Sequence, residues 1–218
     1  MNLRKKYKID PKKLLITKQA VNKTSFVYHD LKLNIAGKAY PSVKEFVRSA
    51  DPNLTPTPIP QISVTSKATK PKQNAATDMA YLAIILAKTR QERKEEVQKF
   101  FLANDSTTFA INVPVTLSPE EAPELQAPFA GYIDIIQHRN NRIYVLAYIP
   151  EAEASCIRSH REGIRGIAEQ YRRKDEQSPE SKAPQLHLYR IALSKRANIP
   201  IQNIATASFN EAGYVEFG

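Results

Sequence analysis

The stretch that decides the fold lies in the second half of the chain, where residues 131–150 read GYIDIIQHRNNRIYVLAYIP. Two runs rich in Ile, Val and Tyr, which suit a pleated sheet, flank the pair Asn140 and Asn141. Asparagine tolerates the positive φ angles that a tight hairpin turn requires. The stretch therefore predicts a β-hairpin whose loop consists of these two asparagines.

The loop sets the register of the hairpin. With a two-residue loop, Arg139 pairs with Arg142. Counting back along both strands then places Asp134 opposite Ala147. Directly opposed side chains emerge on the same face, about 5 Å apart at Cβ, and the period of a strand puts Ile149 on that face too. We therefore expect these last three positions to converge on one spot.

The hairpin resembles the active-site hairpin of the PD-(D/E)XK nucleases, in the subgroup that reads roughly G-h-I-D-i-l-q in one strand and i-y-v-l-D-Y-K-P-e-A in the next. The matching positions are Gly131, Ile133, Asp134, Ile135, Gln137, Ile143, Tyr144, Leu146, Tyr148, Pro150, Glu151 and Ala152. In that family, two carboxylates on adjacent strands hold Mg²⁺, which polarises the scissile phosphate and activates a water molecule. A lysine two residues beyond the second carboxylate orients that water or stabilises developing charge.

This chain departs from the motif at two of its three signature positions. Asp134 keeps the first carboxylate, but Ala147 stands in place of the second and Ile149 in place of the lysine. One carboxylate without its partner binds Mg²⁺ weakly. The resemblance therefore implies a remnant site, with Asp134 as its last metal-ligand position and no cofactor in this form, whereas an active nuclease would need Mg²⁺. The plainer alternative for Asp134 is a polar residue near the start of a strand.

The resemblance continues downstream of the hairpin. Residues 185–193 read QLHLYRIAL and are similar to the family's helix beside the active site, which a Gln opens. Gln185 is therefore a candidate site residue, and its alternative is an exposed residue at a helix start. Residues 199–217 resemble the closing strands of the family. Together these features imply an α/β (α+β) fold with a PD-(D/E)XK nuclease-like core, a central mixed sheet flanked by helices.

A long insertion, residues 153–183, separates the hairpin from that helix and departs from the family layout. It carries the basic candidates for nucleic-acid binding: Arg158, Arg161, Arg165, Arg172, Arg173 and Lys174. Helical spacing would place most of the arginines near one face, where they would follow a DNA backbone by phosphate contacts. The alternative is a solvated helix whose basic charges are balanced by neighbouring acidic residues.

The whole chain divides into three predicted parts. They are a small basic N-terminal module with β-like runs (residues 1–50), a connector rich in Pro, Thr and Lys (51–74) and the nuclease-like domain (75–218). The prolines of the connector cannot donate backbone hydrogen bonds and favour an extended chain. Within the N-terminal module, residues 41–50 predict a short helix with Ser42 as its cap.

Residues 77–103 predict one kinked helix or a pair of helices. Thr89 and Glu92 have the spacing of a capping box, which marks the start of a helix inside this run. The nuclease family often places a Glu on the helix before its hairpin. Glu92, Glu95 and Glu96 are the candidates for that role, and the sequence does not choose among them.

The charge of the chain favours a polyanionic partner. The 32 Lys and Arg residues outnumber the 22 Asp and Glu residues, which gives a formal net charge of +10. The sequence shows no long apolar stretch that would favour a membrane as the partner. DNA is therefore the expected partner. The single cysteine, Cys156, excludes an internal disulfide and a cysteine-rich zinc site. Since the basic N-terminus lacks the apolar run of a secretory signal, we expect a cytoplasmic protein.

Three functions remain open on the sequence alone. The first is a nuclease-derived protein that has lost cleavage and serves as a DNA-binding or assembly subunit, with protein partners in a nucleic-acid-processing complex. The second is a metal-dependent DNA endonuclease in which Glu151 or Glu153 replaces the lost carboxylate. The third is a deliberately inactivated nuclease, against which Ile149 counts because Lys-to-Ile is not a usual engineering choice. The first is preferred, since an apolar pair in the former metal site removes the cost of uncompensated carboxylates.

Overall fold

The computed structural model of the protein describes residues 16–18, 26–64, 66–86, 89–150 and 179–218. Seven described strands form one sheet in chain order: β1 (Ile16–Lys18), β2 (Val27–His29), β3 (Thr108–Leu117), β4 (Phe129–Arg139), β5 (Arg142–Tyr148), β6 (Ile204–Phe209) and β7 (Tyr214–Phe217). The α-helices of the described ranges are α1 (Asp30–Ala39), α2 (Pro41–Ser49), α3 (Ala75–Ala83), α4 (Arg90–Asn104) and α5 (Ala183–Arg196).

The sheet is mixed and separates two apolar cores. Neighbouring strands are antiparallel except β5 and β6, which run parallel. Helix α5 lies between these two strands in the chain, in the crossover that a parallel pair needs. Along β5, Val145 packs in a core with α1, α2 and α5, whereas Leu146 packs in a second core with α3 and α4. The prediction of a central mixed sheet flanked by helices is confirmed.

The central hairpin has the predicted turn. Asn140 and Asn141 have φ angles of 51° and 54°, which are the left-handed values of a type I′ turn. Arg139 pairs with Arg142 across the loop. The hairpin is confirmed, and so is its register from the loop as far as Ile135 and Leu146. The two asparagines accept a backbone conformation that most residues avoid.

The alternation of β4 shifts by one residue at Asp134. Ile133 and Ile136 pack in the same core, although strict alternation would put them on opposite faces. The neighbouring strand β3 departs from regular geometry at the same level, where Asn112 has a positive φ of 50°. The regular alternation of faces that was counted from the hairpin loop therefore stops at Asp134. It no longer supports the prediction that Asp134, Ala147 and Ile149 share one face.

The N-terminal stretch joins the sheet that the rest of the chain builds. Val27 in β2 pairs with Ile111 in β3, and the buried faces of α1 and α2 pack in the same core as the hairpin. The β-like character expected of this module ends at His29, because the chain enters α1 at Asp30. The predicted N-terminal module and the predicted main domain therefore share one sheet and one core.

Helix α2 confirms the helix predicted over residues 41–50. Its buried residues are Val43, Phe46 and Val47. The predicted cap at Ser42 is wrong, because the helix begins one residue earlier, at Pro41, and follows an N-cap residue that makes no side-chain capping bond. Proline suits this first position, since its fixed φ is helical and the N–H it lacks would have no partner within the helix.

The connector, residues 51–74, lies against the sheet. Near its start, Thr57 donates its N–H to Ala130 O at 2.9 Å, and Ala130 N–H donates to Thr57 Oγ1 at 3.0 Å. Near its end, Lys72 and Tyr214 of β7 exchange both main-chain hydrogen bonds. The connector thus covers the outer edge of β7, which would otherwise expose unpaired N–H and C=O groups.

The helical run before β3 is a pair of helices, α3 and α4. Glu92 N–H donates to Thr89 Oγ1 at 3.1 Å, and Thr89 N–H donates to Glu92 Oε2 at 3.0 Å. This capping box confirms the predicted helix start. None of the helices in the described ranges is long and apolar enough to cross a membrane.

Replacing both turn asparagines, Asn140→Val with Asn141→Val, is expected to lower the free energy of unfolding by about 2–4 kcal/mol. A β-branched residue in the left-handed region costs about 1–2 kcal/mol at each position. Urea unfolding followed by circular dichroism measures the loss. The matched control replaces both residues by Gly, which adopts these angles without strain and should keep the unfolding midpoint close to that of the parent. Equal losses in the two variants would contradict the turn type.

Candidate functional site

The site predicted from the hairpin lies where β4 and β5 separate. The two strands pair from the loop as far as Ile135 and Leu146. Beyond this point β4 follows β3, whereas β5 follows β6 and Ile149 donates its N–H to Phe209 O at 2.9 Å. Asp134 is the first residue of β4 beyond the pairing.

Both oxygens of the Asp134 carboxylate have partners. Oδ1 lies 2.8 Å from Nζ of Lys94 in α4, and Oδ2 accepts the N–H of Tyr148 at 3.2 Å. The Asp134 side chain is 8% exposed and the Lys94 side chain 37%, so the ammonium covers a buried carboxylate from the solvent side. The carboxylate is thereby paired with a cation and tied to β5 at the residue between Ala147 and Ile149.

The other two motif positions offer no metal ligands. Ala147 and Ile149 are both apolar and buried. Within the described part of the chain, no group of three His, Cys, Asp or Glu side chains is placed to hold a metal ion. Mg²⁺ requires several oxygen ligands, and at Asp134 it would have to displace Lys94. The described residues therefore do not fit a Mg²⁺ site.

A cleft of about 410 Å³ lies beside the Asp134–Lys94 pair. It is lined by connector residues 56–59, one polar face of α4, residues 129–132 of β4, and Gln185 and Tyr189 of α5, together with Asn112 of β3. Lys94 belongs to both the ion pair and this lining. The cleft therefore adjoins the remnant site at Lys94.

Of the three glutamates proposed on the helix before the hairpin, Glu95 lines the cleft. Its carboxylate accepts a hydrogen bond from Gln91 Nε2 at 2.9 Å. Glu92 belongs to the capping box, and Glu96 pairs with Lys99 at 3.1 Å. The α4 residue that contacts Asp134 is not a glutamate but Lys94.

Sequence reasoning did not single out Lys94, because a search for metal ligands considers carboxylates. The available signal was the spacing i, i+3, i+4 and i+7 of Gln91, Lys94, Glu95 and Gln98. All four residues line the cleft. That spacing indicates one face of a helix. It does not indicate which element that polar face covers.

Gln185 lies in the cleft with its side chain held by a neighbour. Its Nε2 donates to the Tyr189 hydroxyl at 2.7 Å. This hydroxyl lies against Gly131, where a Cβ atom would come within 2.8 Å of it, so a residue without a side chain allows the close approach. Burial and the nearby Asp134 carboxylate raise the pKa of Tyr189 above its ordinary value, and the hydroxyl stays protonated at neutral pH.

The remaining candidates divide between the core and the part of the chain that is not described. Tyr144 and Tyr148 pack in the core with α3 and α4. The candidate residues that lie outside the described ranges are Glu151, Glu153, Cys156, Arg158, Arg161, Arg165, Arg172, Arg173 and Lys174.

Lys94→Met is expected to lower the free energy of unfolding by about 1–2 kcal/mol, because it leaves a buried carboxylate without its cation while the exposure of the ammonium limits the loss. Asp134→Asn keeps an acceptor for the Tyr148 N–H. The double variant, Lys94→Met with Asp134→Asn, should lose about 1 kcal/mol less free energy of unfolding than the sum of the two single losses. Urea unfolding of the four proteins measures this coupling, and strictly additive losses would show that the pair does not interact.

Comparisons of the chain with models of protein families, with curated proteins and with solved structures find no match.

Proposed function

We propose that this protein is a DNA-binding or assembly protein with a nuclease-like fold that does not cleave its substrate. One observation carries the proposal. Asp134, the carboxylate left in the nuclease-like motif, is paired with Lys94 at 2.8 Å, and the other motif positions are the buried apolar residues Ala147 and Ile149.

The order of the elements supports the nuclease-like part of this proposal. Helix α4 precedes three antiparallel strands, β3 to β5, and the hairpin lies at the end of that series. Helix α5 and the closing strands β6 and β7 follow it. This is the layout that the resemblance implies, with the remnant motif at the point where β4 and β5 separate.

The Asp134–Lys94 pair supports the loss of cleavage. In metal-dependent hydrolysis, two or more carboxylates hold the cation that activates water and neutralises the phosphate. Here the ammonium of Lys94 supplies the positive charge that Asp134 needs. A metal ion would have to compete with a tethered cation, and the Ala147 side chain offers no ligand atom at the second motif position.

The charge of the chain supports DNA as the partner. A net charge of +10 attracts a polyanion, and the arginine-rich stretch from Arg158 to Lys174 adjoins the hairpin in sequence. Contacts from such residues to phosphates would bind DNA without sequence preference. Binding would thus persist after the loss of the catalytic residues.

One observation favours a second candidate, a metal-dependent DNA endonuclease. Nζ of Lys94 lies at Asp134 and supplies an ammonium to a site in which Ile149 replaces the motif lysine. For cleavage, Glu95, Glu151 or another carboxylate would have to join Asp134, and Lys94 would have to release it.

Incubation with labelled single- and double-stranded DNA in Mg²⁺ or Mn²⁺ is expected to yield no cleavage products, because the described site lacks a second metal ligand. Denaturing gel electrophoresis detects the products. Asp134→Asn is the matched control: products that require metal and disappear in this variant would overturn the proposal in favour of the endonuclease. Products that persist in Asp134→Asn would come from a contaminating nuclease.

Replacing Arg158, Arg161 and Arg165 together by Ala is expected to reduce the slope of log affinity against log salt by about 2–3 for double-stranded DNA, since each lost phosphate contact contributes about 0.9. Fluorescence anisotropy at several salt concentrations measures the slope. A control with Ala at the exposed residues Lys38, Lys70 and Lys195 removes the same charge elsewhere. Equal changes in the two variants would show that net charge, rather than this stretch, binds the DNA.

A further inference from the structure

The polar lining of the cleft includes four carboxamides. Gln91, Gln98, Asn112 and Gln185 all contribute to it. A carboxamide presents a hydrogen-bond donor and an acceptor side by side, the pattern that matches the edge of a nucleobase. The cleft therefore has the chemistry to bind a neutral group with polar edges.

Side-chain hydrogen bonds hold these carboxamides in place. Gln98 Nε2 donates to Asn112 Oδ1 at 2.8 Å, and both residues are buried. Gln185 Nε2 donates to the Tyr189 hydroxyl at 2.7 Å. Side chains that are already ordered lose little conformational freedom when a ligand binds, which favours affinity.

The charge of the cleft argues against a phosphate as its ligand. Among the described lining residues, Lys94 is the one cationic side chain, and its ammonium is already paired with Asp134. Glu95 adds a carboxylate to the same lining. Since phosphate sites need cations or N–H groups that are available to the ligand, an uncharged ligand fits this lining better.

An apolar wall completes the cleft. The connector contributes Pro56, Pro58 and Ile59, and Phe129 contributes an aromatic ring from β4. Ile59 remains 44% exposed, so a ligand in the cleft would cover apolar surface. The volume of about 410 Å³ lies in the range of about 300–1,000 Å³ that ligand pockets occupy, and the combination suits a flat ring with polar edges.

We infer that the cleft binds one unpaired nucleobase of a DNA strand, with the base edge on the accessible carboxamides Gln91 and Gln185 and the base face on the apolar wall. The inference rests on the proposed DNA-binding function and adds to it a preference for single-stranded or extruded bases. A base that is paired within a duplex presents neither its pairing edge nor its face to a cleft.

The test compares two labelled oligomers of equal length and charge, an oligothymidylate and its abasic counterpart, by fluorescence anisotropy. The base-bearing strand should bind at least about tenfold more tightly, because one hydrogen-bonded and stacked base supplies at least that factor. Gln185→Leu should remove most of this advantage while leaving the affinity for the abasic oligomer unchanged. Gln202→Leu, at an exposed glutamine outside the cleft, is the matched control and should behave as the parent.

The outcomes separate the inference from the function on which it rests. Equal affinity for the two oligomers, or binding of duplex alone, would overturn the inference and leave DNA binding in place. No binding to either oligomer or to duplex would overturn both. Gln91→Leu, at an exposed position of α4, is a second variant in case Gln185→Leu lowers the melting temperature. An undiminished base advantage in both folded variants would also overturn the inference.

Discussion

A buried carboxylate must be compensated, and in this protein that requirement ties a helix to the central sheet. Asp134 is buried at the point where β4 and β5 separate. Its partners come from two other elements, the Lys94 ammonium from α4 and the Tyr148 N–H from β5. The pair therefore links α4 to the separating strands, beside the apolar side chains that α4 buries in the core. The polar face of the cleft and the proposed loss of cleavage both depend on this contact.

The hairpin was predictable because its signals are local. Two asparagines with positive φ angles form the turn, and a two-residue loop determines the register by arithmetic alone. The start of α4 was predictable for the same reason, since Thr89 and Glu92 satisfy each other's backbone groups within one helical turn. Such features depend on neighbouring residues and very little on the rest of the fold.

The contacts that shape the site were not predictable, because they join distant parts of the chain. The polar face of α4 is visible in the sequence, but its position over Asp134 is not. The shift in β4 coincides with the positive φ of Asn112 in the adjacent strand, which a pattern of alternating residues cannot reveal. Helix α1 was not predicted, because the three-residue strand β2 leads directly into it and the β-like pattern gives no sign of the change.

The docked connector has a consequence for the order in which the chain folds. The bond from Glu216 N–H to Thr69 Oγ1 joins residues 147 positions apart, and the bond from Ala130 N–H to Thr57 Oγ1 spans 73 positions. Closing such long loops is slow, whereas the hairpin closes over two residues. We therefore expect the sheet to exist for a time without the cover on β7. Exposure of this edge to edge-to-edge association is then concentrated in this interval of folding, and the docked connector protects the same edge in the native state.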